Sequence, residues 1–165
     1  MLPAPVLHAP TVLCVDDEPD ILDSLVTYLG PAVPAEVVAA SSGPQALNLL
    51  EQMEGRVDTV LCDFRMGPMD GLEVLRRVKA RWPEVPRIMM TAFPDMHLVI
   101  DAVNRGGIGR FLVKPFAPAE LAGIVRESVA ARRGALLRAA ALQRAAEPPM
   151  AGRRQGTQAP GRGTG

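Results

Sequence analysis

Four short apolar runs in this chain each end on a polar residue, and the polar residues together could carry out phosphoryl transfer. Thr11 to Val15 runs into Asp16-Asp17-Glu18, and Val57 to Cys62 into Asp63. Arg87 to Met90 runs into Thr91, and Arg110 to Val113 into Lys114-Pro115. If the runs are parallel strands of one sheet, their ends meet at one edge. Asp16, Asp17, Asp63, Thr91 and Lys114 then share a small volume. Clustered carboxylates repel, so three of them beside one ammonium call for a further cation. A hard divalent ion such as magnesium suits them, because it takes one or two carboxylates, keeps waters and leaves room for a phosphate oxygen. A carboxylate is also a competent nucleophile toward phosphorus, giving an aspartyl phosphate. The incoming group brings about −2 charge, which the metal, Lys114 and a hydroxyl such as Thr91 would stabilise.

The elements that must position these residues alternate along the chain. Strands are expected over Thr11–Asp16, Glu36–Ala40, Val57–Cys62, Arg87–Thr91 and Arg110–Val113. Helices are expected over Pro19–Leu29, Pro44–Met53, Asp70–Trp82 and Asp95–Arg105, with a long last helix from Pro118. Ile21, Leu22, Leu25, Val26 and Leu29 show the helical spacing, and Gly106-Gly107 reads as a left-handed helix stop. Such alternation implies right-handed crossovers and a parallel sheet covered on both faces. In open sheets of this kind, ligands bind at the carboxyl ends of the strands.

Each polar end has a plainer reading when taken alone. Asp16-Asp17-Glu18 before Pro19 could be an acidic helix cap. Asp63 could be a loop residue, Thr91 an ordinary threonine and Lys114-Pro115 a turn. Their joint occurrence, in order and at strand ends, is what favours a site.

With those residues in view, the chain resembles a response-regulator receiver domain of two-component signalling. The resemblance rests on Val15-Asp16-Asp17-Glu18-Pro19, Leu61-Cys62-Asp63-Phe64-Arg65-Met66, Met69-Asp70-Gly71, Met90-Thr91-Ala92 and Phe111-Leu112-Val113-Lys114-Pro115-Phe116. It implies a flavodoxin-like, doubly wound α/β fold of three layers, with five parallel strands in the order 2-1-3-4-5. It implies that Asp63 accepts a phosphoryl group from a sensor histidine kinase or a phosphotransfer protein. Asp17, Asp63 and the backbone carbonyl of Arg65 would hold Mg2+, with Asp16 acting through a water. Thr91 and Lys114 would stabilise the phosphoryl group. Thr91 and Phe111 would be the switch that reshapes the surface of the fourth helix, fifth strand and fifth helix. Such a protein is a signalling phosphoacceptor, not a metabolic enzyme, although it promotes its own phosphorylation and dephosphorylation.

The chain departs from the family pattern at three places. The loop after the acceptor reads Met66-Gly67-Pro68-Met69 where the family has proline directly after the methionine. Gly67 permits backbone angles that proline forbids, so Gly67, Pro68 and the carbonyl this loop presents are the open point of the site. Arg65 could meet the phosphoryl group, contact the aspartates or face solvent, and solvent is the default. Arg110 stands where an acidic residue is common; the stretch 104–111 resembles receivers of the hydrogenase-regulator type.

Three other readings bear on the same residues. A receiver-like docking module that does not phosphorylate would keep the fold and lose the chemistry. An aspartate-nucleophile phosphatase would carry two aspartates one residue apart on its first strand, whereas Asp16 and Asp17 are adjacent. A flavin module would need a hydroxyl- and glycine-rich loop where Asp16-Asp17-Glu18 stands. The Gly106-Gly107-Ile108-Gly109 stretch follows a helix and precedes a strand, the reverse of a dinucleotide fingerprint.

Composition sets the surroundings. The 165 residues, 48% hydrophobic and 22% charged, fit one soluble globular domain with extra chain. The division expected is an extension over 1–10, a receiver domain over 11–130, an extension of the last helix over 131–147 and a disordered basic tail rich in Gly, Pro and Arg over 148–165. Cys14 and Cys62 sit inside apolar runs and read as buried thiols. No stretch reaches the roughly 18 apolar residues of a membrane span, and the N-terminus lacks the basic start of a signal peptide, so a cytoplasmic protein is expected. Residues 1–125 hold 10 basic and 16 acidic side chains, a balance of −6, and residues 126–165 hold 8 and 2, a balance of +6. The basic part has no aromatic residue for stacking, which argues against direct nucleic-acid binding. Output is therefore expected through a downstream protein or self-association, using the fourth helix, fifth strand and fifth helix together with the extended last helix.

Overall fold

A computed structural model describes residues 7–92 and 96–148. Five strands, β1 (Thr11–Val15), β2 (Glu36–Ala40), β3 (Thr59–Asp63), β4 (Arg87–Thr91) and β5 (Arg110–Val113), form one sheet. All pairs are parallel and the order is β2-β1-β3-β4-β5. The helices are α1 (Pro19–Ala32), α2 (Gly43–Gln52), α3 (Gly71–Arg81), α4 (Met96–Asp101) and α5 (Pro118–Ala146). The alternation leads to a parallel sheet covered on both faces and the resemblance to the doubly wound flavodoxin-like order, and the structure has both.

Successive strand residues point to opposite faces, and each face has its own core. Leu13, Val15, Val60, Cys62 and Met89 pack with Ala46 and Leu50 of α2 and Val74, Leu75 and Val78 of α3. Val12, Cys14, Leu61, Ile88, Met90 and Leu112 pack with Leu22, Leu25 and Leu29 of α1 and Leu121, Val125 and Val129 of α5. The two cysteines are buried and free on opposite faces of the sheet. Burial alone pushes the Cys14 thiol up to about 12.

Several boundaries differ from the sequence reading. α1 continues past Leu29 to Ala32 with Pro31 in its last turn, although proline there gives up the N–H that would bond the Thr27 carbonyl. β3 begins at Thr59 and includes Asp63. Val57 and Asp58 fall before it, because Asp58 turns to bond with the start of β1: its N–H donates to the Thr11 carbonyl at 2.7 Å. Asp70 and Trp82 are the caps of α3, not its first and last residues. The fourth helix is α-helical only to Asp101 and widens into a π-helical turn over Ala102–Gly106; the start expected at Asp95 lies outside the described residues. Gly106-Gly107 holds a helix weakly, and Gly107 takes the left-handed conformation, φ 57°, as the helix stop requires. α5 runs through Gly134 without a break for 29 residues. The tail expected to be disordered lies almost wholly outside the described residues.

Candidate functional site

The carboxyl ends of β1, β3, β4 and β5 bring Asp16, Asp17, Asp63, Thr91 and Lys114 to one edge of the sheet. The register does this directly: Val15 of β1 pairs with Cys62, and Asp63 pairs with Met90, one residue before Thr91. Thr91 in turn pairs with Val113, one residue before Lys114. The Lys114 N–H donates to the Thr91 carbonyl at 2.8 Å, and the Lys114–Pro115 peptide is cis.

Oxygens from Asp16, Asp17 and Asp63 all lie within 4.8 Å of one another. Asp16 is fully buried, Asp63 is 5% exposed and Thr91 3% exposed, while Asp17 faces solvent. Lys114 joins the group, with its Nζ 2.8 Å from Asp63 Oδ1 and 3.2 Å from Asp16 Oδ2. The second oxygen of Asp16 accepts the Glu18 N–H at 2.9 Å. Glu18 is the N-cap of α1, yet its side chain makes no capping bond. The acidic run therefore serves the strand ends, not the helix start.

The electrostatics follow from burial and crowding. Burial raises Asp63 above the ordinary carboxylate range; Lys114 pulls it down, and Asp16 and Asp17 push it up again. Burial pulls Lys114 down, but its bonds and attraction to Asp63 and Asp16 outweigh that and leave it raised. The set holds more negative than positive charge, so a cation made of hard acid fits it. All three acidic groups offer oxygen, the donor that magnesium prefers.

The loop after β3 is shaped around Asp63. Phe64 donates its N–H to the Met90 carbonyl and accepts from Gly71 N–H, both at 2.8 Å. A Cβ on Gly71 would lie 2.1 Å from the Asp63 carbonyl oxygen, so only glycine lets the start of α3 approach so closely. Asp70 caps α3 by accepting the Glu73 N–H at 2.9 Å. Gly67 does not adopt a left-handed conformation, and a Cβ there would meet open space. The displaced Gly67-Pro68 thus imposes no strained loop. Both are exposed, as is the Arg65 side chain.

Phe111 lies on β5, opposite Met89, half-buried against the α2–α3 core. It stands two residues before Val113 and does not join the charged cluster. Sequence reasoning missed the direct Lys114–Asp16 pair, which needs the depth of the sheet edge to be seen. It also missed a third buried carboxylate, Asp58, at the opposite end of β3. His8 lies 3.2 Å from Asp58 Oδ2 through its Nε2. A lone Asp in an apolar run, Val57-Asp58-Thr59-Val60, was the available signal.

Known proteins share the sequence pattern and the fold. The profile of the family described as "Response regulator receiver domain" matches residues 12–126. The hydrogenase transcriptional regulatory protein HoxA of Cupriavidus necator is 38% identical over 122 residues, which cover 74% of this chain and 24% of that protein. The transcriptional regulatory protein ZraR of Escherichia coli K12 is 38% identical over 108 residues, 63% of this chain and 23% of that one. The chain thus spans about a quarter of the length of these relatives. Among solved structures, the signal receiver domain of an HD domain-containing protein from Pseudomonas fluorescens Pf-5 superposes with a TM-score of 0.71 at 33% identity, covering 78% of this chain and 93% of that one. Among the described residues, no helix is long and apolar enough to cross a membrane. Fold, strand-end cluster and family match agree, and this chain belongs to the response regulator receiver domain family.

Proposed function

We propose that this receiver accepts a phosphoryl group on a carboxylate oxygen of Asp63, from a sensor histidine kinase or a phosphotransfer protein, in a Mg2+-dependent reaction. The observation that carries the reading is the position of Lys114, whose ammonium lies within 3.2 Å of both Asp63 and Asp16 at the edge of a carboxylate cluster. Asp63 is the member at the end of the central strand, with Asp16 and Asp17 on its β1 side and Thr91 and Lys114 on its β4–β5 side. Its oxygen would attack phosphorus as the bond from phosphorus to the donor histidine breaks, leaving an acyl phosphate and a neutral imidazole. Lys114, freed in part from Asp63, would pair with a phosphoryl oxygen, and the Thr91 hydroxyl would donate to another.

Asp17 and Asp63 would hold the magnesium ion directly, joined by the Arg65 backbone carbonyl. Both oxygens of Asp16 are engaged, one by Lys114 and one by the Glu18 N–H, which supports a role for Asp16 through a water. The bound ion supplies charge neutralisation for the incoming phosphoryl oxygens. Movement of Thr91 toward the phosphoryl group would draw on β4 and its neighbour Phe111. That change would be read on the face formed by α4, β5 and α5, where Ile100, Val103 and Val113 are exposed. A downstream protein or a second copy of the chain is the expected reader.

The test is to incubate the full chain with magnesium and a small phosphodonor and to measure its mass. One labile phosphoryl group is expected on the wild type and none on Asp63→Asn. An unmodified wild type under conditions in which it binds magnesium contradicts the proposal.

A further inference from the structure

The sheet has a second polar cluster, at the end opposite Asp63. Asp58 immediately precedes β3 and is completely buried. Its Oδ2 accepts the Thr11 N–H at 2.8 Å and lies 3.2 Å from His8 Nε2. Its Oδ1 accepts no hydrogen bond among the described residues, and the nearest cation is Arg133, with Nη1 at 3.6 Å. The same Nη1 donates to the His8 carbonyl at 2.7 Å. A buried carboxylate without a cation is costly, so Arg133 is held where both the charge and the carbonyl need it.

Arg133 belongs to α5, one turn beyond Val129, the last α5 residue in the core with α1. Its neighbour Arg132 has Nη2 3.6 Å from Glu84 Oε1, in the segment leading to β4. Two adjacent arginines therefore grip two different segments at the base of the sheet. The segment before β1 is stitched in as well: Glu36 N–H donates to the Pro10 carbonyl at 2.8 Å, and Thr11 Oγ1 to the Ala9 carbonyl at 2.9 Å. Gly134 follows at once, and a mid-helix glycine weakens a helix by about 1 kcal/mol. α5 nevertheless continues unbroken to Ala146.

We propose that Arg133 locks α5 to the base of the sheet through Asp58 and His8, so that the helix beyond it is a rigid arm of the receiver. Leu136, just past Arg133, is still buried at 6% exposed, so the arm that leaves the body is Leu137–Ala146, about 15 Å at 1.5 Å per residue. The lock joins three segments far apart in sequence: the chain before β1, the chain before β3 and the distal part of α5. Asp58 and Asp63 stand at opposite ends of β3, so the arm is seated on the strand that carries the strand-end cluster. The lock rests on geometry at the base and does not depend on the phosphorylation of Asp63.

Hydrogen exchange of the full chain, read by mass spectrometry, tests this. In Arg133→Gln the amides of residues 137–146 are expected to exchange about tenfold faster over and above any change shared with β3 and β4. Asp58→Asn, which keeps an acceptor for the Thr11 N–H but removes the charge, is expected to loosen the same amides, and the double variant no further than either single one. Arm amides in Arg133→Gln within about twofold of wild type would overturn the proposal, as would an arm already unprotected in the wild type. So would an equal acceleration of β3, β4 and the arm, which would mean that Arg133 only adds global stability.

Discussion

The two ends of β3 each hold a buried aspartate, and they solve the problem of burial differently. At the base, Asp58 receives a backbone N–H, a histidine and an arginine, and its single charge meets a single guanidinium. At the carboxyl edge, Asp63 shares one ammonium with Asp16 while Asp17 stands close by. The base is balanced within the chain. The edge is not: in the pairs described there, three carboxylates gather at one lysine, an excess that suits a cation from outside. A buried carboxylate whose charge is matched within the chain serves structure, and one left in negative excess is poised for a ligand.

Three substitutions would break or sharpen that contrast. The largest effect is expected at the base. Asp58→Ala removes the acceptor of the Thr11 N–H and leaves Arg133 without its carboxylate, a loss of about 3 kcal/mol in urea unfolding that magnesium does not restore. A loss below about 1 kcal/mol would show that the base is not held through Asp58. At the edge, Lys114→Met takes the ammonium from Asp16 and Asp63. Without magnesium it should cost about 2 kcal/mol, and magnesium should recover most of the loss, because an ion can replace the missing positive charge there. Equal losses with and without magnesium would mean that the edge, like the base, is closed to outside cations.

The smallest effect carries a sign. Asp63 titrates above its unfolded value of 3.8, so folding favours its protonated form. The stability this contributes is complete below 3.8 and is lost as pH rises through the folded value. Asparagine does not titrate. Metal-free Asp63→Asn should therefore be more stable than wild type at neutral pH, and the gain should vanish below 3.8. A variant less stable than wild type at neutral pH would show that the Lys114 pair outweighs burial and repulsion.

The edge was legible in the sequence and the base was not, for a physical reason. Strand ends in a parallel sheet fall together by topology, so Asp16, Asp63, Thr91 and Lys114 could be grouped once the alternation was read. The β4 and β5 limits, Arg87–Thr91 and Arg110–Val113, were visible because a continuous apolar run must lie between two covered faces. His8, Asp58 and Arg133 come from a segment before one strand, a segment before another and the far part of a helix. No periodicity links them, and each reads singly as a surface residue. The π-helical turn at Ala102–Gly106 was equally hidden, since glycine signals where a helix ends but not how its last turn opens. Gly67 uses no conformation reserved for glycine, so the displaced Gly67-Pro68 adds no backbone strain to the loop.

The central claim is that the unbalanced edge, and not the balanced base, takes up the phosphoryl group. The most direct measurement compares wild type, Asp63→Asn and Asp58→Asn, each treated with magnesium and a small phosphodonor and mapped by mass spectrometry. The account predicts a single base-labile phosphoryl group on Asp63 in the wild type and in Asp58→Asn, and none in Asp63→Asn. Undiminished modification of Asp63→Asn, or an unmodified wild type, would contradict it.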